Sequence, residues 1–266
     1  YNLIFERFLN PERVSMPDFD VMDEMLIIKG KAAGPTGEFL KFIERSPVAA
    51  SIDHFTAGMQ ALELVGKVLL EPGATIAAQS PAYLGALDAW MPRAPRYRPM
   101  RIGADGFDPH RALAGAQFAY TVPNFSNPSG RLVTLAERHT LVEAAHDTGT
   151  WLVEDDPYGV LYYDGNPLPR MLTLSAARAP GRYDGPVVYM GSLSKELTPG
   201  LRLGWVIAAP EMIAALHRAG ADAFRVNMSH GDHEGHAQVI AAIRALEKET
   251  GRPTTILVDL QGPKLR

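Results

Sequence analysis

The chain of 266 residues predicts an α/β fold with a mostly parallel sheet covered by helices on both faces. Three observations carry that expectation. From about Thr56 onward, apolar runs of strand length alternate with longer segments whose apolar residues recur at helical spacing. The 24 glycines and 21 prolines supply many turns without making the chain low in complexity. With 46% apolar and 21% charged residues, the chain has the composition of a globular protein large enough to bury a substantial core.

Each element has a local reason. Gly58-Met59-Gln60 opens a helix on which Leu62, Val65 and Leu69 recur, and Glu71-Pro72-Gly73 ends it. Residues 74–78 read as a buried strand. Ser80-Pro81 starts a second helix through Trp90, with Pro81 early in its first turn. Residues 96–100 and 117–122 are further strands. Residues 134–147 form a helix with a Thr134/Glu137 capping box and Gly149 as its stop. The runs 150–154, 186–190 and 203–208 continue the strands. Beyond Arg218 the texture changes, with a helix over 233–249 and a strand over 254–259. Ahead of Thr56 the chain is less informative: an amphipathic start broken at Pro11, an extended Asp18-Phe19-Asp20, a turn-rich stretch at 32–37 and a short helix at 38–45.

Several function classes recede on composition. A formal charge of −4 gives no reason to expect nucleic acid or an anionic membrane as a partner. The absence of cysteine excludes disulfides and thiolate metal sites. Neither a signal peptide nor an apolar run of bilayer length is visible, which makes the cytoplasm the default expectation.

The chemistry concentrates in residues 189–205, Tyr-Met-Gly-Ser-Leu-Ser-Lys-Glu-Leu-Thr-Pro-Gly-Leu-Arg-Leu-Gly-Trp. Ser192, Ser194 and Arg202 can surround a dianionic phosphate with two hydroxyls and a planar cation. Lys195, between them, is a primary amine able to form an imine with an aldehyde. Alone, Ser-Leu-Ser-Lys reads equally well as a surface loop with a solvated lysine. The helix N-terminus at Gly58-Met59-Gln60 offers backbone amides to an anion. Asp155 and Asp156 close a strand, Asn127-Pro128 would otherwise mark only a turn, and Tyr83 unaided reads as a helix core residue.

Taken together, residues 58–218 resemble the class I/II, fold-type-I aminotransferases that use pyridoxal 5′-phosphate. The resemblance implies an incomplete large domain of that fold with Lys195 as its Schiff-base lysine and proton-transfer base. It places the cofactor phosphate among Gly58, Met59, Gln60, Ser192, Ser194 and Arg202, with Met59 standing where the family prefers a small hydroxyl residue. Asp155 is implied at the pyridine nitrogen, three residues before Tyr158 as in the family, with adjacent Asp156 as the competitor. Tyr158 and Asn127 are implied at the ring hydroxyl, and Tyr83 at the ring face. Amino-group transfer between an amino acid and a 2-oxo acid follows, in a homodimer whose subunits complete each other's sites.

The flanks resemble other families. Residues 1–21 are similar to the bacterial DNA polymerase III α-subunit near its metal-binding aspartates, which makes Asp18 and Asp20 metal candidates. Residues 22–57 carry no resemblance. Residues 219–266, through Asn-Met-Ser-His and Asp-Leu-Gln-Gly-Pro-Lys, resemble the opening βαβ portion of the pyruvate kinase barrel. That implies potassium ligands at Asn227, Ser229 and Asp259, a substrate contact at Arg225 and a nucleotide contact at His230. The sequence thus reads as a mosaic led by an aminotransferase-like function. A phosphotransferase fragment and a non-catalytic chimeric chain are the alternatives. Cofactor binding is expected to outrun transamination, because the 219–266 segment occupies the place of the family's substrate-clamping small domain.

Overall fold

The computed structural model describes residues 24–29, 57–179, 183–196, 203–221, 223–227 and 233–259. In chain order the described elements are β1 (Glu24–Lys29), α1 (Ala57–Leu69), β2 (Thr75–Gln79), α2 (Leu84–Trp90), β3 (Arg96–Met100), α3 (Pro109–Leu113) and β4 (Phe118–Thr121). There follow α4 (Leu135–Thr148), β5 (Trp151–Asp155), α5 (Met171–Ala176), β6 (Val187–Ser192), α6 (Leu193–Glu196) and β7 (Leu203–Ile207). The last are α7 (Pro210–Ala219), β8 (Ala223–Asn227), α8 (His233–Thr250) and β9 (Thr255–Asp259).

The nine described strands form one sheet in the order β3-β2-β4-β5-β6-β7-β1-β8-β9. Strands β3, β2, β4, β5 and β6 pair in parallel, as do β8 and β9. Strand β7 is antiparallel to β6 and to β1, and β1 is antiparallel to β8. The expected mostly parallel α/β sheet is therefore present. The C-terminal strand–helix–strand unit is present too, as β8-α8-β9, and it joins the same sheet through β1.

Alternation along the central strands sends successive side chains into two cores. Ile76, Ala78, Phe118, Tyr120, Val153, Val188 and Met190 pack with Leu62 and Val65 of α1, Trp90 of α2 and Met212, Ile213 and Leu216 of α7. Ala77, Ala119, Leu152, Val187 and Tyr189 face the other way, against Leu113 of α3, Leu141 and Ala145 of α4 and Met171 of α5. Helix α4 is fastened as its sequence predicts. Thr134 and Glu137 form the reciprocal capping box, and Gly149 ends the helix in the left-handed region. Among the described residues, no helix is long and apolar enough to cross a membrane.

Several features depart from the sequence expectation, and the short helices α3 and α5 form where none was expected. Helix α2 starts at Leu84, so Pro81 lies ahead of it rather than in its first turn. Tyr83 keeps an extended backbone as the N-cap, and its ring lies back across Gly85, where a Cβ would sit 2.6 Å from the phenol. Strand β1 falls in the unassigned stretch, although Met25-Leu26-Ile27-Ile28 is an apolar run of strand length. Helix α7 was also missed, although Pro210 at its start and buried Met212, Ile213 and Leu216 are helix signals.

Gly191 on β6 lies opposite Trp205 on β7. A Cβ built at Gly191 would sit well inside van der Waals contact of the Trp205 indole. Gly191→Ala is expected to destabilise the fold by about 1–3 kcal/mol, the usual cost of overpacking. The denaturant midpoint measures this, and an unchanged midpoint would mean that the indole yields freely.

Candidate active site

Parallel strands release their chains at the same edge of the sheet, and the loops there commonly enclose a ligand crevice. Here the C-terminal ends of β2, β4, β5 and β6 and the first turn of α1 surround an open cleft. Gly58, Met59, Tyr83, Asn127, Asp155, Tyr158, Ser192, Ser194 and Lys195 all line it, with Leu62, Val122, Pro157 and Met190 as apolar wall. These residues are spread over more than half of the sequence, and the sheet brings them to one place. Gln60 sits in the first turn of α1 but does not line the cleft. Arg202, Ser229, His230, Asp18, Asp20 and the helix expected at 38–45 lie outside the described residues.

The two adjacent carboxylates separate cleanly. Asp155 lines the cleft, and its Oδ2 accepts a hydrogen bond from the buried Tyr120 hydroxyl at 2.7 Å. Asp156 turns to the opposite face. Its Oδ1 accepts from Nδ2 of Asn124 at 2.7 Å, and its Oδ2 accepts from the Tyr189 hydroxyl at 3.2 Å and pairs with Arg170 at 3.3 Å. The preceding Glu154 also faces away, capping α5 by accepting the Met171 and Leu172 amides at 2.9 Å each.

Such crowding of buried acids has an electrostatic cost. Burial raises the Asp155 carboxyl to about 7; the Tyr120 hydrogen bond opposes this and the charge of Asp156 adds to it. Glu154 is raised to about 7 by burial and by Asp156, against the two helix amides. Glu196, next to Lys195, is raised to about 7 by burial and Asp156, with Arg170 opposing. The Tyr158 phenol is raised by burial and by Asp155, while its hydrogen bond to Asn127 lowers it.

The remaining polar groups are held in place. Ser192 Oγ donates to Ser194 Oγ at 2.9 Å and accepts the Ser194 amide at 3.1 Å, so both hydroxyls sit in the tight turn from β6 into α6. The Tyr83 hydroxyl donates to Sδ of Met59 at 3.9 Å, a weak acceptor at the start of α1. The turn that carries Asn127 is anchored from behind. Buried Arg138 of α4 donates to the Val133 and Pro169 carbonyls at 3.0 and 2.9 Å and to Oδ1 of Asn124 at 2.6 Å. Tyr120, Asn124 and Arg138 were not singled out from sequence. Their roles depend on strand pairing and helix packing, for which the sequence carries no local signal.

The candidates for potassium fare differently. Asn227 and Asp259 are register partners on β8 and β9, with only their backbone described, as for Arg225. Among the described residues, no group of three or more His, Asp or Glu side chains is placed to hold a metal ion.

Chemically, the cleft offers an amine, a carboxyl, two phenols, an amide side chain, two hydroxyls and a helix N-terminus around an apolar wall. That donor set fits a flat heteroaromatic aldehyde with an anionic arm. The arm suits the helix end and the two serines, the carboxyl suits a ring nitrogen, and the amine suits the carbonyl.

Comparison with known proteins agrees. Residues 54–233 match the model of the family described as aminotransferase class I and II. Residues 202–266 match the pyruvate kinase barrel domain, and residues 1–25 the bacterial DNA polymerase III alpha NTPase domain. The 2-aminoadipate transaminase of Thermus thermophilus is 34% identical over 222 residues, which cover 79% of this chain and 55% of that protein. The structure of Pyrococcus horikoshii kynurenine aminotransferase, in complex with PMP, KYN as substrates and KYA as products, is 28% identical. It has a TM-score of 0.55 and covers 82% of this chain and 46% of its own. LysN, the alpha-aminoadipate aminotransferase of Thermus thermophilus, complexed with N-(5′-phosphopyridoxyl)-L-leucine, is 31% identical with a TM-score of 0.52. The match covers 72% of this chain and 50% of LysN. The chain spans about half the length of the relatives it matches. With a family match that runs over most of its length, the chain belongs to the aminotransferase class I and II family.

Proposed function

We propose that the cleft binds pyridoxal 5′-phosphate, with Lys195 as its covalent anchor, and serves amino-group transfer between an amino acid and a 2-oxo acid. The observation that carries this reading is the meeting of Lys195 and Asp155 in one cleft, from the ends of neighbouring strands β6 and β5. When bound, the cofactor supplies an electron-accepting ring that stabilises negative charge at the substrate Cα. The protein's residues bind, orient and move protons. The α1 amides with Ser192 and Ser194 hold the phosphate arm, and Arg202 is assigned there from sequence. Asp155 keeps a proton at the ring nitrogen, Tyr158 and Asn127 hydrogen-bond the ring hydroxyl, and Tyr83 stacks on the ring for roughly 1 kcal/mol. Lys195, freed by the incoming amine, carries the proton from the substrate Cα. Met59 donates nothing to the phosphate, so the backbone amides carry that end. The working form on this reading is a homodimer.

The test is direct. Added pyridoxal 5′-phosphate should give a visible absorption band, and borohydride should then lock the label onto a peptide containing Lys195. Labelling of a different lysine, or none, would refute the assignment.

A further inference from the structure

We infer that Tyr120 is a positioning residue for Asp155: from the neighbouring strand its hydroxyl pins Oδ2, leaving the other oxygen to meet the ring nitrogen of a pyridoxal compound. The inference rests on the reading of the cleft given above. Tyr120 itself does not line the cleft and acts only through the carboxyl.

Its placement is a consequence of register. Strands β4 and β5 run in parallel with Tyr120 beside Val153, so Tyr120 shares a face with Asp155 two residues further on. The ring is fully buried, and Trp90 meets it edge-on at 5.1 Å and 82°. That packing leaves the phenol little freedom to turn. The hydroxyl is a polar group in an otherwise apolar core, and its 2.7 Å contact with Asp155 is short, as expected for a charge-assisted bond. Burial and the charge of Asp155 push the Tyr120 phenol well above its ordinary value, so it remains a donor at every working pH.

The charges around Asp155 give this donor its importance. Asp156 follows just past the end of β5, Glu154 precedes it on the opposite face, and Lys195 enters from α6 directly after β6. Tyr83 and Tyr158 line the same cleft. Asp156 disfavours an ionised Asp155, whereas the Tyr120 hydrogen bond favours it. Without the bond the carboxyl becomes more basic and draws the shared proton away from the ring nitrogen. A ring with less positive charge then leaves the nitrogen of Lys195 more basic.

The experiment follows the pH titration of the visible band in the cofactor-loaded chain. Tyr120→Phe keeps the packed ring and is expected to raise the titration midpoint by about one pH unit. Asp155→Asn is expected to raise it further, and Tyr120→Phe on the Asp155→Asn background to add nothing. Affinity for 4-deoxypyridoxine 5′-phosphate, which has the ring nitrogen and phosphate but no aldehyde, should fall about tenfold in Tyr120→Phe. A 3-fluorotyrosine at position 120 strengthens the donor and should move the midpoint down; this arm decides the question should Tyr120→Phe not fold. A purely structural role for Tyr120 would lower the melting temperature and leave the midpoint in place. A wild-type midpoint in Tyr120→Phe, or a shift that persists without Asp155, overturns the inference and leaves the Lys195 assignment standing. No visible band in the wild-type chain overturns both.

Discussion

Asp155→Asn is expected to part folding from cofactor capture: the cofactor-free chain gains stability at pH 8, while its affinity for pyridoxal 5′-phosphate falls about 100-fold. The sign follows from linkage. The Asp155 carboxyl titrates near 7 in the fold against an ordinary value of 3.8. Between those values the folded chain holds a proton that the unfolded chain has released, so stability falls as pH rises from about 4 to about 7. Above pH 7 the full penalty of burying the charge is present. Asparagine removes that penalty, can still accept from Tyr120, and should therefore stabilise the cofactor-free chain by at least ~1 kcal/mol at pH 8. Glu154 and Glu196, also near 7, keep part of the wild-type pH dependence. Cofactor affinity moves the other way, because an amide cannot neutralise a protonated ring nitrogen. Melting curves from pH 5 to 8 and a cofactor titration decide the matter. A variant that is destabilised at pH 8 yet binds normally would remove Asp155 from the site.

Arg138→Met is expected to cost about 3–5 kcal/mol of stability, the scale for leaving several buried acceptors unsatisfied at roughly 1–3 kcal/mol each. Arg138 is entirely buried, and its fork satisfies the carbonyls of Val133 and Pro169 together with the Asn124 side chain. Methionine fills a similar volume but leaves those acceptors without a donor in a space closed to water. The same loss reaches the site. Asn124 holds Asp156 through Nδ2 and takes the Tyr162 hydroxyl at Oδ1, so freeing it loosens the turn that carries Asn127. A fall in cofactor affinity should accompany the shift in denaturant midpoint. A midpoint within about 0.5 kcal/mol of wild type would mean that water reaches these acceptors after all.

Local chemistry was legible along the chain. The Thr134/Glu137 box and Gly149 delimit α4 because caps act over one turn. The apolar runs mark β2, β4, β5 and β6 because a strand covered on both faces has no polar side to show. The Ser-Leu-Ser-Lys turn after β6 and the acids closing β5 were visible as motifs for the same reason. What pairs across the sheet was not. That Asp155 faces the cleft while Asp156 joins Arg170 and Tyr189 follows from the period-two alternation of a strand whose two faces meet different helices. That Tyr120 serves Asp155 depends on the β4–β5 register, and that Arg138 supports the Asn127 turn depends on how α4 lies against two loops. Tyr83 likewise stands at the cleft because α2 begins late and Gly85 makes room for its ring. The sequence by itself determined the central strands, the helices α1, α4 and α8 and the chemical groups, since these rest on interactions between near neighbours. Only the tertiary structure decided which buried group each polar atom would meet, because in the absence of water those partners come from strands and helices distant in the chain.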